Sequence, residues 1–237
     1  MKFTSIAIDG PSGAGKSTMA RRVAAELGFL YVDTGAIYRS VSLYAYRAGA
    51  AREDAARIAA LLPEMRIDME YQEDGIQHMF LNGEDVTGAI RENEISLYTS
   101  AVAAIPEVRA FLLELQRNLA ATRNVIMDGR DIGTVVLPDA TVKIYLTAAP
   151  EARARRRWLE LREKGSDITE EKVLEDVLQR DYNDTHRDIA PLRQAEDAVL
   201  VDTTALDLEG SYQLLLKTCL LYTSSGTCAG SPGSRWM

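Results

Sequence analysis

The sequence has 237 residues, of which 46% are hydrophobic, and a formal net charge of -8. This length and composition predict one sizeable core with at most a small appended lobe. The acidic balance argues against DNA or RNA as the main partner. The sequence also lacks a run of about 18 apolar residues, which argues against a membrane span.

The chain opens on strand-like residues, without the plan of a signal peptide, so we expect a cytoplasmic protein. The two cysteines, Cys219 and Cys228, lie near the C-terminus and outside every motif described below. They predict neither a disulfide framework nor a metal site.

The first elements in chain order alternate between strand and helix. Residues 3–9 predict a buried strand, and a Gly-rich turn follows. The Ala-rich run from Ser17 to Leu27 predicts a helix that ends at Gly28, and residues 29–32 predict a second strand. This order is typical of an α/β fold with a parallel sheet.

Residues from about 65 to 90 have a different pattern. Apolar and polar residues alternate over residues 65–70, as in half-buried strands. Asp74-Gly75 and Asn82-Gly83 are strong signals for hairpin turns. The sequence therefore predicts a small antiparallel β insert.

The second half of the chain returns to the α/β pattern. Helical patterns run from Glu94 to about Ala121 with a break near Pro106, and strands are predicted at 125–128, 142–146 and 199–201. Residues 151–187 are highly charged and helical in pattern. From Cys219 the composition changes to Ser, Gly, Thr and Pro, so residues 218–237 are expected to form a disordered tail.

One motif lies between the first strand and the first helix. Residues 10–18 fit G-x-x-x-x-G-K-[ST] at every fixed position. Glycines let backbone N–H groups turn toward phosphate oxygens, and the helix N-terminus adds partial positive charge. Lys16 can reach the β- and γ-phosphates, and Ser17 can offer its hydroxyl to a phosphate-bound Mg²⁺. The residues expected to bind ATP are Gly10, Pro11, Ser12, Gly13, Ala14, Gly15, Lys16, Ser17 and Thr18.

The loop indicates a nucleoside triphosphate but does not by itself indicate a kinase. A GTPase would carry an Asn-Lys-x-Asp guanine-reading motif, and the sequence has none. Asp85 and Gly88 superficially fit the D-x-x-G switch of such proteins, but they follow the Asn82-Gly83 turn, so we interpret them as turn residues. A nucleotide-dependent binding module remains an alternative.

A kinase for a small acceptor needs a second anion site, and arginines follow several predicted strands. Arg39 comes after the second strand, and Arg130 comes after the strand at 125–128. Arg187 lies at the end of the charged helical region. Guanidinium groups bind phosphate in a bidentate manner, so these three residues are candidates for an acceptor phosphate site.

These segments, taken in order, resemble bacterial cytidylate kinase. The resemblance rests on residues 10–18, the run Asp33-Thr34-Gly35-Ala36-Ile37-Tyr38-Arg39, residues 128–136, and Arg180-Asp181 with Asp184 and Arg187. It covers roughly residues 1–217. It implies a single P-loop kinase domain over 1–217, with the β insert in the monophosphate-binding lobe and a helical lid at about 150–187.

The resemblance also implies an activity: transfer of the γ-phosphoryl group of ATP to CMP or dCMP, with Mg²⁺. It implies contacts to the phosphate by Arg39, Arg130 and Arg187, to the cytosine by Ser100, Arg109 and Asp131, and to the sugar by Arg180 and Asp184. Thr34 stands where the family has Ser or Thr and is implied to line the CMP site. The implied catalytic residues are Lys16, Arg130 and Arg157.

Three assignments stay open at this stage. Asp128 either holds Mg²⁺ through water or caps the turn at Gly129. Arg157 belongs to a basic cluster with Arg153, Arg155 and Arg156 at the start of the implied lid, and it is expected to contact ATP, whereas nearby glutamates allow surface ion pairs instead. The acceptor is CMP or dCMP, the alternative being a related kinase with another small acceptor, and we expect a monomer.

Overall fold

A parallel sheet and a small antiparallel sheet organise the computed structural model, which describes residues 3–71 and 77–224. The chain divides into two compact units. The P-loop unit comprises residues 1–30 and 123–237, and the insert unit comprises residues 31–122. No helix in the described ranges is both long and apolar enough to cross a bilayer.

The described chain contains eight strands and eight α-helices. The strands are β1 (Ser5–Asp9), β2 (Leu30–Asp33), β3 (Ile67–Tyr71), β4 (Gln77–Leu81), β5 (Glu84–Asp85), β6 (Val125–Gly129), β7 (Val142–Thr147) and β8 (Val199–Asp202). The helices are α1 (Lys16–Leu27), α2 (Thr34–Arg47), α3 (Ala55–Leu61), α4 (Asn93–Val102), α5 (Pro106–Thr122), α6 (Pro150–Glu163), α7 (Glu170–His186) and α8 (Leu208–Ser224).

The five-stranded sheet has the order β2-β6-β1-β7-β8 and is parallel, as the sequence predicts. Its central strand β1 lies opposite β6 on one side, with Ile6 facing Ile126, and opposite β7 on the other, with Ile6 facing Val142. These residues are buried, which explains their continuous apolar pattern. Because the strands are parallel, the segments that follow β1 and β6 emerge at the same edge, where ligands bind in open α/β sheets.

The three-stranded sheet of the insert unit confirms the predicted β insert. Its order is β3-β4-β5, and both pairings are antiparallel. Asn82 and Gly83 have φ angles of 51° and 86°, which are the positive values that a tight hairpin turn requires. Asp85 accepts a hydrogen bond from the Thr87 N–H at 2.9 Å, in agreement with its interpretation as a turn residue. The other predicted turn, at 74–75, lies outside the described residues.

The C-terminal helix corrects one expectation from the sequence. Residues 218–224 were expected to lie outside the folded domain, but α8 continues to Ser224, and Thr218 and Cys219 are buried. The buried positions Tyr212, Leu215 and Cys219 recur at helical spacing. The prediction was wrong for residues 218–224 because it rested on the Ser, Gly, Thr and Pro content of residues 219–237 as a whole, which hides the helical spacing of the buried positions. Residues 225–237 lie outside the described chain.

Candidate active site

The phosphate-binding loop begins where β1 ends and closes at the start of α1. Gly10 has a φ of 149°, and a Cβ atom added there would lie 1.9 Å from the carbonyl oxygen of Leu146 in β7. Only glycine can hold the backbone this close to the neighbouring strand. The first fixed glycine of the motif is therefore required by strand packing as well as by phosphate binding.

Lys16 is buried at the N-terminus of α1. Its Nζ donates hydrogen bonds to the carbonyl oxygens of Gly10 and Pro11, both at 2.7 Å. Burial lowers the pKa of Lys16 below its ordinary value, and the positive charge of Arg130 lowers it further, while Asp128 and Asp9 oppose these effects. A bound phosphate would supply the negative charge that this buried ammonium group favours.

Ser17 and Asp128 form the oxygen cluster of the site. The Ser17 hydroxyl donates to Oδ2 of Asp128 at 2.9 Å, so the first turn of α1 and the end of β6 are joined. Hydroxyl and carboxylate oxygens are the hard ligands that Mg²⁺ prefers, and this pair fits the ion. No group of three or more His, Cys, Asp or Glu side chains with metal-binding geometry occurs among the described residues. A pair alone suits a Mg²⁺ ion that is bound largely by phosphates and water.

Asp9 is a buried carboxylate that the sequence did not single out. Its two oxygens accept the backbone N–H groups of Ile132 and Gly133, each at 2.7 Å. Burial raises its pKa to about 6, although the two backbone hydrogen bonds act in the opposite direction. Asp9 therefore ties the end of β1 to the segment that carries Arg130 and Asp131. Its position as the last residue of a buried strand, directly before the loop, was the available signal.

Two of the predicted acceptor-site arginines form ion pairs with predicted acceptor-site carboxylates. Arg130 Nε lies 2.6 Å from Oδ2 of Asp184 on α7. Arg187 Nη2 lies 3.2 Å from Oδ1 of Asp131, and its Nε donates to the Ala190 carbonyl. All four side chains are more than three-quarters buried. The P-loop unit therefore brings together four of its predicted acceptor residues, while Arg180 on the same helix is exposed.

The four arginines of α6 have different environments. The side chain of Arg153 is 3% exposed and forms an ion pair with Asp181. Arg156 donates to the carbonyl oxygens of Thr203 and Leu206. Arg155 and Arg157 are on the surface, where Arg157 is 47% exposed and pairs with Glu160 at 3.1 Å. The structure thus shows the surface ion pair for Arg157, and its contact with ATP stays a prediction.

The remaining predicted residues lie in the insert unit. Thr34 is buried in the first turn of α2, and Arg39 on the same helix pairs with Asp33 at 3.0 Å. The guanidinium carbon of Arg109 lies 6.0 Å from the ring centre of Tyr38. Ser100, near the end of α4, is exposed. The cation–π geometry places Arg109 beside α2, so both expected acceptor arginines of this unit lie near the same helix.

Comparison with protein families supplies a direct test of the resemblance. The family model described as cytidylate kinase matches residues 6–219. The chain belongs to the cytidylate kinase family. The match begins in β1 and ends in α8, and therefore includes every predicted site residue.

Individual relatives support the same assignment. The cytidylate kinase of Caldicellulosiruptor bescii is 48% identical over 217 residues, covering 92% of this chain and 96% of the relative. That of Carboxydothermus hydrogenoformans is 51% identical over 212 residues, covering 90% and 95%. A crystal structure of an uncharacterized protein from Eubacterium ventriosum superimposes with a TM-score of 0.50 at 12% identity, covering 91% of this chain and 97% of that one. At this identity the superposition supports the fold alone.

Proposed function

We propose that this cytidylate kinase family member transfers the γ-phosphoryl group of ATP to CMP or dCMP, forming ADP and CDP or dCDP. The observation that carries the proposal is a buried Lys16 in a complete phosphate-binding loop, within a chain that matches the family from residue 6 to residue 219. The predicted acceptor arginines add a second anion site, which a nucleotide-dependent binding module does not need.

On the donor side, Lys16 and the backbone of residues 10–18 bind the phosphates of ATP. Lys16 now donates to two loop carbonyls, and in the complex its ammonium group turns to the phosphate oxygens. Ser17 and Asp128 would hold a phosphate-bound Mg²⁺, which would supply positive charge to neutralise the phosphates. Arg157 approaches the nucleotide once it leaves its surface pair with Glu160.

On the acceptor side, Arg130, Arg187 and Arg39 bind the phosphate of CMP. The first two are paired with carboxylates in this structure, and a phosphate dianion competes for both guanidinium groups because bidentate phosphate contacts are strong. Asp184, released from Arg130, accepts a sugar hydroxyl beside Arg180. Ser100, Arg109 and Asp131 bind the cytosine, and Thr34 lines the site.

The chemical step needs positioning and charge neutralisation more than acid–base catalysis. The attacking atom is an oxygen of the acceptor phosphate, which is already anionic, so no general base is required. Lys16 stabilises the transferring group, while Arg130 holds the acceptor phosphate in line with it. Closure of the implied lid over the nucleotides would exclude water and suppress ATP hydrolysis.

The proposed metal site can be tested at the carboxylate. Asp128→Asn removes the negative charge and keeps the shape of the side chain. We expect activity to fall about 10- to 100-fold and to recover in part at higher Mg²⁺. A titration of initial rate against Mg²⁺ measures both effects. An unchanged Mg²⁺ dependence would assign Asp128 to the turn at Gly129 instead.

The proposed reaction is tested by ADP release from Mg-ATP with each of CMP, dCMP, UMP, AMP, GMP and dTMP. Fast release with CMP and dCMP alone supports both the reaction and the cytosine site. Strong activity with another monophosphate keeps the kinase and removes the proposed roles of Arg109 and Asp131. Release that is slow and independent of every monophosphate would favour the binding module.

We also propose that the enzyme is a cytoplasmic monomer. Its proposed substrates are metabolites of the cytoplasm, and the described acceptor and donor residues all belong to one chain. Light scattering coupled to gel filtration gives the mass directly. A mass of twice 26.1 kDa would overturn the monomer.

A further inference from the structure

Arg153 lies outside the predicted ATP and CMP sites, yet it is the most buried arginine of α6. Its guanidinium group makes four hydrogen bonds. Nε donates to the Ala148 carbonyl at 2.8 Å, Nη1 donates to the Ser12 carbonyl at 3.0 Å, and both Nη atoms donate to the carboxylate of Asp181. The group therefore joins the end of β7, the phosphate-binding loop and α7.

The contact with Ser12 determines the orientation of one peptide group in the loop. In a planar trans peptide, the carbonyl of one residue and the N–H of the next point in opposite directions. Because the Ser12 carbonyl points to Arg153, the Gly13 N–H points away from it. The loop binds phosphate through such inward-facing N–H groups, so the orientation of this peptide decides whether Gly13 can contribute one.

The stem of Arg153 also lies close to Gly13. Gly13 has a φ of 75°, and a Cβ atom added there would lie 3.5 Å from Cβ of Arg153. The aliphatic stem of Arg153 thus lies where a side chain at Gly13 would be, while the guanidinium group donates to the preceding carbonyl. A glycine can adopt several backbone conformations, and the hydrogen bond from Arg153 to the preceding carbonyl favours one of them.

The same guanidinium group is poorly placed to touch the nucleotide itself. Arg153 and Asp181 line a pocket of about 350 Å³ together with Pro11, Thr147 and Thr204. However, only 3% of the Arg153 side chain is exposed, and its donors face the two carbonyls and the Asp181 carboxylate. Its positive charge is thus balanced by the Asp181 carboxylate within the protein.

We propose that Arg153 is a positioning residue for phosphoryl transfer, which orients the Ser12–Gly13 peptide so that the Gly13 N–H faces the phosphates and which joins this peptide to α7 through Asp181. This inference rests on the proposed function for its kinetic consequences. Its structural part concerns only the binding of a nucleotide by the loop.

The principal test is Arg153→Met, which keeps an aliphatic stem and removes the guanidinium group with its four hydrogen bonds. The binding of Mg-ADP to the whole chain, measured by calorimetry, should weaken about tenfold, as expected for loss of one hydrogen bond to a charged group. The KM for ATP should rise by a similar factor while kcat changes less than about threefold, because the contact serves substrate and transition state alike. Arg153→Lys retains the charge but not the fork, and should fall between the two proteins.

The matched control is Arg156→Met. Arg156 lies on the same helix and also donates to two backbone carbonyls, but those of Thr203 and Leu206 rather than the loop. It should lose stability while keeping the affinity for Mg-ADP. Equal weakening in both variants would show a general effect of α6 and would overturn the proposal.

The backbone signal of Gly13 gives a readout that stability alone would not move. In ¹⁵N-labelled protein, the Gly13 amide should shift on addition of Mg-ADP, and this shift should be lost in Arg153→Met while shifts elsewhere in the loop persist. If Arg153→Met does not fold, Arg153→Lys takes its place. Asp181→Asn keeps the guanidinium group that donates to Ser12 and removes only its charged partner, so the Gly13 shift should be reduced less than in Arg153→Met. An equal loss in both variants would overturn the assignment of the Gly13 orientation to the Ser12 contact.

These measurements separate the two proposals. A wild-type chain that does not phosphorylate CMP, but whose Mg-ADP affinity and Gly13 shift depend on Arg153, would refute the proposed function and support the positioning role. A chain that phosphorylates CMP, but whose Arg153→Met variant binds Mg-ADP as the wild type does, would support the proposed function and refute the positioning role.

Discussion

The phosphate-binding loop and the helix pair α6–α7 hold charged groups by different means. Residues 10–18 use backbone groups held by positive-φ glycines, with one buried lysine. The helix pair uses side chains whose charges are already matched, as in Arg153 with Asp181 and Arg157 with Glu160. In the loop the backbone path restricts which residues can be present, so the motif itself reveals the role. On the helices the backbone conformation allows an arginine at any of these positions. The role of each arginine therefore depends on the residues that it contacts in the folded protein.

The largest expected effect is a loss of protein stability caused by a substitution in the phosphate-binding loop. Gly10→Ala would place Cβ against the Leu146 carbonyl, at 1.9 Å, and at an unfavourable φ. We expect a loss of about 3 kcal/mol or more in the free energy of unfolding, measured by urea denaturation. The control is Gly28→Ala, where φ is 66° and no atom lies within 4 Å. It should cost about 1 kcal/mol, and equal losses would contradict the steric argument.

The next effect concerns the buried charge of the loop. Lys16→Met preserves the length of the side chain but removes the ammonium group. We expect kcat/KM for ATP to fall about 1,000-fold, with a cooperative unfolding transition retained. Steady-state kinetics and circular dichroism measure these two quantities. Activity within tenfold of wild type would mean that the loop backbone suffices to bind and activate the phosphates.

A smaller loss is expected where the helix pair meets the acceptor site. Arg130→Ala removes the partner of Asp184 and should lower CMP phosphorylation about 100-fold. The control is Arg155→Met, a surface residue 3.9 Å from Glu170, which should stay within about twofold because exposed ion pairs contribute little. Near-normal turnover in Arg130→Ala would remove Arg130 from the mechanism.

The smallest expected effect concerns the N-terminal cap of α7, which does not involve the arginines of the helix pair. The Thr169 hydroxyl caps α7 by accepting the Lys172 N–H at 3.2 Å. Thr169→Ala should cost about 1 kcal/mol in the free energy of unfolding. Thr185→Ala on the same helix removes a hydroxyl that bonds a carbonyl one turn back, and should change stability by less than about 0.5 kcal/mol. Equal losses would mean that the Thr169 cap adds nothing.

Most of the fold could be predicted because hydrophobic periodicity and turn residues act locally. The alternation over residues 65–70 and the Asn82-Gly83 pair were sufficient for the β insert, and Gly28 marked the end of α1. Prediction was wrong at the C-terminal helix, where Thr218 and Cys219 pack inward at positions whose composition suggested a tail. Burial of small polar residues depends on the neighbours that a helix face meets, which local pattern does not reveal.

The candidate site divides in the same way. The loop residues, including Lys16 and Ser17, were evident from spacing alone. Asp9 and Arg153 were missed as members of the site, because each acts on a backbone segment more than 120 positions away in sequence. Neither the Asp9 carboxylate nor the Arg153 guanidinium group belongs to a sequence motif. Only the packing of β1 and α6 brings these groups to the backbone segments that they contact.

The sequence by itself determined the α/β class, the phosphate-binding loop and the family, because these depend on residue types at fixed local spacing. Tertiary structure alone decided which charges pair. Arg153 is enclosed between the loop and α7, Arg157 is left on the surface, and Asp128 meets Ser17. The physical reason is that an ionised side chain takes its energy from burial and from partners distant in sequence, and both are fixed only when the elements pack.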